Sequence, residues 1–319
     1  MNTHEVLFNL IKRMMNRNLE FIPEMDGSMY VTAEQAYKEA KTLDNPTYIE
    51  PIKQLIEKYS SNSTKDKDIR RRAYYLLEQF AVNTGSNEIF DYFADRLAVE
   101  SDKDLLADCL LLYFYSHSYL PLLEKLLLLL ENQRSQVRNM VIKLLGAYPR
   151  EEVEDILMRK LKQAHNSSEI SHLLVSLGRI RSTKMRELLD SFFHHEKAEV
   201  RSSAVTAARM LGGQNFLHQY KEALKDRSRE VKLTALYAIL EHGDESVIDV
   251  VIERLKVIIK SKRKIEPVTA KDSELVIILQ FLLKFKGERK VAAIVEWIQE
   301  KKWENLFVNE REWIETHWI

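Results

Sequence analysis

EVRSSAVTAARMLGG, residues 199–213, is the stretch of sequence that decides the fold. Starting at Val200, its small and apolar side chains keep the spacing of one face of an α-helix, at Ala204, Ala207, Ala208 and Leu211. The alanines leave room for a neighbouring helix to approach closely. Glycine follows at Gly212, where a left-handed residue commonly ends a helix. The stretch therefore predicts an amphipathic helix that packs against other helices.

The same helical phase restarts seven times along the chain. The seven starts are Ile69, Leu105, Val137, Glu169 (where Ile170 takes the apolar role), Val200, Val231 and Leu275. Five of the six intervals are roughly 31 to 36 residues, which is the length of two short helices and two turns. Other amphipathic segments lie between these helices, so each pair can bury its stripe against the next pair. We therefore expect an all-α fold, an α-α superhelical solenoid of helical pairs.

Several of these segments resemble the HEAT repeat, and most closely its short HEAT-like variety first noted in phycobilin lyases. The resemblance is carried by LKDRSREVK at residues 224–232, by EVR at 199–201, and by SQVR at 135–138. It is strong over residues 133–243, fair over 68–133 and weak beyond Lys260. The resemblance implies that the second helix of each pair lines a concave face.

The HEAT resemblance also implies a ladder of Asp and Arg side chains that bond between successive repeats. The basic half of the ladder is present at Arg70, Arg138, Arg201 and Lys232. The acidic position in the turn is clear only at Asp226, so the sequence predicts an incomplete ladder.

The repeat phase divides the chain into three parts. Residues 48–287 are the HEAT-like array, with about seven helix pairs, and residues 1–47 are an N-terminal helical cap in which Phe21 to Ser28 form a loop between two helices. Residues 288–319 are a C-terminal helical cap rich in tryptophan, with Trp297, Trp303, Trp313 and Trp318. We favour a cap that covers the last apolar face, and a surface of aromatic anchors is the alternative.

The composition limits the kinds of partner and compartment. Lys plus Arg (48) equals Asp plus Glu (48), so no global field attracts nucleic acid or an anionic membrane. Cys109 is the only cysteine, so no intramolecular disulfide can form, and we expect it to be a small buried apolar residue. Polar residues interrupt the apolar stretch 110–130, which predicts two buried helices meeting at Pro121. The first residues lack the features of a signal peptide, so a cytoplasmic protein is expected.

No motif of an enzyme appears in the sequence. It lacks a phosphate-binding glycine loop, a His-Glu-x-x-His motif, paired cysteines and a Gly-x-Ser-x-Gly turn. His194 and His195 are adjacent, and His165 and His172 are seven apart, but neither pair has the spacing of a metal site. We therefore expect no cofactor, no metal and no catalytic residues.

Candidate binding residues lie on the surface-facing positions of the second helices and in a basic insertion at residues 260–268. The insertion accounts for the longer interval from Val231 to Leu275, and an insertion in a repeat maps to a loop. The twelve candidates are Arg71, Tyr75, Asn139, Lys143, Arg179, Thr206, Arg209, Tyr237, Lys260, Lys262, Arg263 and Lys264. Basic groups and tyrosines suit an acidic surface, although an ordinary solvated polar face would have the same composition.

These observations favour a non-catalytic scaffold that recognises another protein or an acidic peptide through its concave face, as a regulatory adaptor or a toxin antagonist. The alternative is a nucleic-acid-binding protein similar to the alkylpurine DNA glycosylases, which also stack HEAT-like pairs. Arg179, Arg209 and Lys143 keep that alternative open, whereas the charge balance argues against it. A structural oligomer built through the tryptophan-rich end is a third hypothesis, and the sequence does not predict an oligomeric state.

Overall fold

A computed structural model of the chain describes residues 2–16, 21–23, 29–102, 104–106, 122–261, 263, 269 and 273–318. The chain divides into two compact units, Met1–Leu145 and Gly146–Ile319. The first unit contains α1 (Thr3–Met14), β1 (Phe21–Pro23), β2 (Met29–Val31), α2 (Thr32–Ala40), α3 (Ile49–Lys58), α4 (Thr64–Thr84), α5 (Asn87–Val99), α6 (Leu122–Leu129) and α7 (Ser135–Leu145).

Helices are the regular secondary structure in the described residues of the second unit. It contains α8 (Glu151–Gln163), α9 (Ser167–Arg179), α10 (Leu189–Phe193), α11 (Ala198–Met210), α12 (Leu217–Ala223), α13 (Arg229–His242), α14 (Ile248–Lys260), α15 (Glu274–Leu283), α16 (Arg289–Lys301) and α17 (Val308–Trp318). Single 3-10 turns at Gly213–Phe216, Glu245–Val247 and Trp303–Asn305 lead into or out of these helices.

The repeated apolar positions form the core, and the predicted all-α fold of stacked helical pairs is confirmed. All seven starting positions are buried: Ile69, Leu105, Val137, Ile170, Val200, Val231 and Leu275. Burying one such side chain stabilises a fold by about 1.5–3 kcal/mol. In the second unit, α9 packs on α11, α11 on α13 and α13 on α15, while α8, α10, α12 and α14 pack against members of this row. The second helices therefore form a continuous row.

Glycine permits a close helix contact in this row. A Cβ atom added to Gly178 on α9 would lie 2.9 Å from the Cα of Ala207 on α11, which is closer than real Cβ atoms approach. Gly212, with a φ of 96°, takes the left-handed conformation that the sequence predicted at the end of α11. Gly178 and Gly212 thus serve different purposes, the first in packing and the second in the turn.

The interpretation of Phe21 to Ser28 as a loop is wrong in part. Phe21–Pro23 pairs with Met29–Val31 in an antiparallel ladder, with Phe21 opposite Val31 and Ile22 opposite Tyr30. These residues are aromatic or β-branched, and such side chains favour extended strands over helices or loops. The N-terminal region is therefore two helices joined through a short two-stranded sheet.

The C-terminal segment packs on the last repeat. Helix α17 contacts α15, and Ile314 and Trp318 on α17 are buried, with 1% and 8% of their surface exposed. Trp297, Trp303 and Trp313 are partly exposed. A cap must cover the apolar face of the last repeat, and the buried Ile314 and Trp318 are consistent with this role. The three partly exposed tryptophans leave open the alternative of a surface of aromatic anchors. The three-part division at residues 47 and 287 stays a prediction.

Some predicted features lie outside the described residues, namely Cys109, Pro121, Lys262, Lys264 and most of the insertion. The described part of the apolar stretch 110–130 includes helix α6. Within the described ranges, no helix combines the length and the apolar character needed to cross a membrane.

Candidate functional site

Hydroxyl groups join two helices of the row in the second unit. The Ser202 and Thr234 hydroxyl oxygens lie 2.9 Å apart, which links α11 to α13. Thr206, a predicted contact residue, donates its hydroxyl proton to the Ser202 carbonyl oxygen at 3.0 Å. The predicted Tyr237 lies on α13 and is 39% exposed. The hydroxyls of Ser202 and Thr206 are therefore already hydrogen-bonded, while Tyr237 presents an exposed ring on α13.

A groove of about 500 Å³ lies at the C-terminal ends of α9, α11 and α13. We call it the arginine groove, and it is lined by Gly178, Arg179, Arg181, Arg209, Met210, Leu211, Gly212, Glu241 and His242. Two predicted contact residues, Arg179 and Arg209, meet here although they are far apart in sequence. Three arginines and one glutamate are thus among the residues that line a single small concavity.

Arg181 is the arginine of the groove that the sequence pattern did not indicate. Its φ is 57°, in the left-handed region, and it follows α9 in a turn where the Ser182 amide donates to the Leu177 carbonyl oxygen at 2.9 Å. Glycine usually occupies this position, and another residue costs roughly 1–2 kcal/mol there. Because no glycine directly follows Ile180, the sequence pattern did not indicate this turn.

Arg209 and His242 tie the ends of α11 and α13 together. Arg209 Nη1 lies 3.6 Å from Glu241 Oε2, and both side chains are partly exposed, so the ion pair contributes little to stability. His242 Nε2 lies 3.0 Å from the Arg209 carbonyl oxygen. The His242 ring fills the space beside Gly213, where an added Cβ would lie 2.0 Å from it.

The arginines also have a structural explanation. Arg179 is the last residue of α9, and Arg209 lies in the last turn of α11. Cations near a helix C-terminus interact favourably with its partial negative charge, typically by about 0.3–1 kcal/mol. Arg181 lies beyond the helix end in a strained conformation, so this effect explains it less well.

Four predicted contact residues belong to the first unit and lie on α4 and α7. Arg71 is exposed, whereas Tyr75, Asn139 and Lys143 are half-buried. The rings of Tyr75 and Tyr37 meet edge to face with centroids 5.2 Å apart. Burial raises the pKa of Tyr75, and the charge of Glu78 adds to this rise. Each residue is on a second helix, and its binding role stays a prediction.

The insertion contributes one residue to a buried ion pair. Arg263 Nη1 donates to Glu310 Oε1 at 2.5 Å, and Glu310 is completely buried. Ser273 Oγ donates to the same oxygen at 2.5 Å, and Arg263 Nη2 donates to the Asn305 carbonyl oxygen at 2.8 Å. The guanidinium also lies 4.5 Å from the centre of the Phe307 ring. Contact between Arg263 and a partner would require this network to break.

Lys260, the other described basic residue of the insertion, is exposed at the end of α14. It lines a second groove of about 670 Å³, together with Lys256, Lys290 and Trp297. Asp249 pairs with Lys290 across this groove at 2.9 Å. Both acidic and basic residues line this groove, so its net positive charge is smaller than that of the arginine groove.

The predicted ladder has more acidic members than the sequence indicated. Arg201 forms two hydrogen bonds with Asp226, at 2.6 and 2.8 Å, as expected. Arg70 donates to Glu100 at 3.2 Å, and both side chains are buried. Glu100 also accepts a hydrogen bond from the Tyr74 hydroxyl at 2.9 Å. The sequence pattern specified an aspartate in the turn, so it did not indicate Glu100 as a partner.

The basic ladder residues share a second contact. Each donates to main-chain carbonyl oxygens in the turn before its helix: Arg70 to Tyr59 and Ser61, Arg138 to Asn132 and Gln133, Arg201 to His195 and Glu196, and Lys232 to Asp226. The hydrogen bonds from Arg201 lower the pKa of Asp226, and Asp226 in turn raises the pKa of Arg201. The ladder residues therefore fix the turns between helices.

The histidines at positions 194, 195 and 218 line a groove of about 630 Å³ beside the ladder pair of Arg201 and Asp226. In the ranges that the structure describes, no group of three or more His, Cys, Asp or Glu side chains could hold a metal ion. The groove also contains carboxylates and basic groups, and it presents no single charge to a ligand.

No family model matches this chain, and no curated protein does. Among solved structures, the complex of CpcE and CpcF of phycocyanin lyase from Nostoc is similar at 15% identity and a TM-score of 0.47, covering 78% of this chain and 93% of that chain. An engineered protein is similar at 15% identity and a TM-score of 0.41, covering 96% of this chain and 86% of that chain. Neither likeness bears on activity, substrate or partner.

Proposed function

We propose that this protein is a non-catalytic helical-repeat scaffold that binds an acidic segment of another protein. The contact surface is the exposed side of the row formed by α9, α11 and α13, with the arginine groove as its main site. The observation that carries the proposal is that Arg179, Arg181 and Arg209 line one groove with a single carboxylate, Glu241. A chain with equal numbers of acidic and basic residues thereby presents a local positive patch.

The chemistry of the groove suits carboxylates on a partner. A guanidinium group can donate two parallel hydrogen bonds to one carboxylate, and a hydrogen bond to a charged group contributes about 1.5–3 kcal/mol. Tyr237 and Thr206 lie on the same row of helices, where an exposed tyrosine can act as an aromatic anchor. An extended acidic segment could therefore contact the groove and Tyr237 together.

The described groove residues also support the non-catalytic part of the proposal. The lining contains no hydroxyl or thiol that could act as a nucleophile. His242, the one residue there that could act as a general base, has Nε2 in contact with the Arg209 carbonyl oxygen at 3.0 Å. The arginines of the lining are the groups suited to contact with an anion.

Fluorescence anisotropy with labelled glutamate-rich peptides tests the proposal on the full chain. The double variant Arg179→Glu and Arg209→Glu should weaken binding by at least about tenfold, which corresponds to about 1.4 kcal/mol. Arg159→Glu is the matched control, because Arg159 is exposed on α8, in the other layer of helices. Circular dichroism should show unchanged helicity in all variants. Equal affinity for the double variant and the control would contradict the proposed surface.

The nucleic-acid alternative is separated by a gel-shift assay with duplex DNA and a base-release assay on alkylated DNA. A scaffold of the proposed kind gives no base release and no salt-sensitive duplex binding at concentrations that saturate the acidic peptide. Release of an alkylated base would replace the proposal with a glycosylase activity.

A further inference from the structure

We propose that the second groove, between α14 and α16, binds a short acidic segment of a partner protein that carries a large apolar side chain as its anchor. Neither helix belongs to the row of α9, α11, α13 and α15, so the second groove is a surface separate from the arginine groove. Its occupant also differs, because it needs an apolar anchor as well as carboxylates.

The two helices run side by side in the same direction along the groove. Helix α14 packs on α16, and Asp249 in the first turn of α14 pairs with Lys290 in the first turn of α16 at 2.9 Å. Lys256 and Trp297 are each seven residues further along, and both line the groove. Seven residues span about 10 Å of helix. The groove therefore has a neutral end at the ion pair and a second end formed by Lys256 and Trp297.

The floor and one wall of the groove are apolar. Ile252 and Ile294 are 7% and 4% exposed, and Ala293, which also lines the groove, is exposed. Trp297 is half-buried, and Lys302 Nζ lies 5.7 Å from the centre of its ring. Part of the indole is therefore open to solvent within a concavity. Tryptophan is enriched among the residues that contribute most to protein–protein binding, so this ring is a suitable contact for an apolar anchor.

The positive charge of the groove is concentrated at the end that holds the tryptophan. Lys256 and Lys260 are exposed, and neither side chain forms an ion pair or hydrogen bond with any residue that the structure describes. They are four residues apart on α14, so their ammonium groups lie on one face of the helix. Lys290, by contrast, is paired with Asp249, and Glu253 lies between the two ends. Carboxylates of a partner are therefore attracted to Lys256 and Lys260 and repelled from the first turn.

The combination favours an anchored acidic segment over a purely acidic one. Ion pairs between exposed side chains contribute little affinity, and they act mainly on specificity and on the rate of association. Most of the affinity must then come from the apolar side chain in contact with Trp297, Ala293 and Ile294. The two lysines select a segment in which acidic residues flank that anchor. Hexaglutamate, which has no anchor, should leave this groove empty.

Fluorescence anisotropy with two labelled peptides, Glu-Glu-Phe-Phe-Glu-Glu and hexaglutamate, tests the assignment. The full chain carries Arg179→Glu and Arg209→Glu, which removes the arginine groove as a competing site. In this chain the phenylalanine peptide should bind at least about tenfold more tightly than hexaglutamate. Trp297→Ala should abolish that difference. Lys256→Gln together with Lys260→Gln should weaken binding of the phenylalanine peptide at least about tenfold.

Two further variants serve as controls. Lys162→Gln should leave the affinity unchanged, because Lys162 is exposed on α8 and does not line the groove. Trp297→Phe keeps an aromatic ring, so it should retain binding if Trp297→Ala acts through the lost ring and not through unfolding. Equal affinity for the two peptides, or unchanged affinity in Trp297→Ala, would overturn the assignment. A concentration-dependent dimer in light scattering that Trp297→Ala dissociates would also overturn it, because a second copy of the chain would then fill the groove.

Discussion

The substitution Asp226→Asn tests whether the ladder pair stabilises the repeat array. Asp226 accepts two hydrogen bonds from Arg201, at 2.6 and 2.8 Å, and one from the Ser228 amide at 2.7 Å. Their side chains are only 9% (Arg201) and 13% (Asp226) exposed. Breaking a buried ion pair by removing one partner costs about 3–5 kcal/mol. Since asparagine can still accept from Ser228, we expect a loss of about 2–3 kcal/mol in the free energy of unfolding.

The pH dependence of this loss gives an independent check. The hydrogen bonds from Arg201 lower the pKa of Asp226 in the folded chain below its unfolded value. A carboxyl group with a lowered pKa stabilises the fold above its unfolded pKa of about 3.9, and this contribution disappears as the pH falls through the folded pKa. The difference between the natural chain and Asp226→Asn should therefore be constant from about pH 5 to 8 and shrink below about pH 4.

Urea unfolding followed by circular dichroism at several pH values measures both quantities. Asp249→Asn is the matched control, because Asp249 pairs with Lys290 at 2.9 Å while its side chain is 80% exposed. That exposed pair should contribute less than about 1 kcal/mol. If Asp226→Asn costs no more than Asp249→Asn, or if its effect does not change at low pH, the ladder pair does not stabilise the fold as argued.

Two further substitutions probe packing and the C-terminal ion pair. Gly178→Ala should lower the free energy of unfolding by about 1–3 kcal/mol, because the new Cβ would lie 2.9 Å from the Ala207 backbone. Gly287→Ala is the control and should change the free energy of unfolding little, because a Cβ there would have nothing within 4 Å. Equal effects in urea unfolding would contradict the close contact. Glu310→Gln should lower the unfolding temperature by several degrees because it leaves Arg263 without its carboxylate partner. Scanning calorimetry checks this, and an unchanged temperature would show that the pair is not stabilising.

The helical phase was predictable because each helix carries its own periodicity within about a dozen residues. Val200 and Val231 could be placed in the core from sequence alone, and both are buried. The acidic partner of Arg70 could not be identified from the sequence, because Glu100 is 30 positions away and its position depends on how α5 ends. The ion pair between Arg263 and Glu310 joins residues 47 apart for the same reason.

The candidate site was predictable only in part. Wheel positions on successive repeats selected Arg179 and Arg209, and both line the arginine groove. Arg181 lies beyond the helix, in a left-handed turn that no glycine announces, so helical periodicity could not select it. Periodicity also cannot show that Arg263 forms an ion pair with Glu310. Local patterns thus predicted the helices, whereas the groove depends on turns and on contacts between repeats.

Hydrogen–deuterium exchange of the full chain, with and without a saturating hexaglutamate peptide, tests the binding surface most directly. If the arginine groove holds the anion, the peptide should slow exchange in residues 177–182, 207–213 and 240–243, where the three helix ends line the groove. Residues 252–260, beside the second groove, should exchange at the same rate with and without peptide. Slower exchange at residues 252–260 alone, with none at the three helix ends, would contradict the assignment of the arginine groove as the partner site.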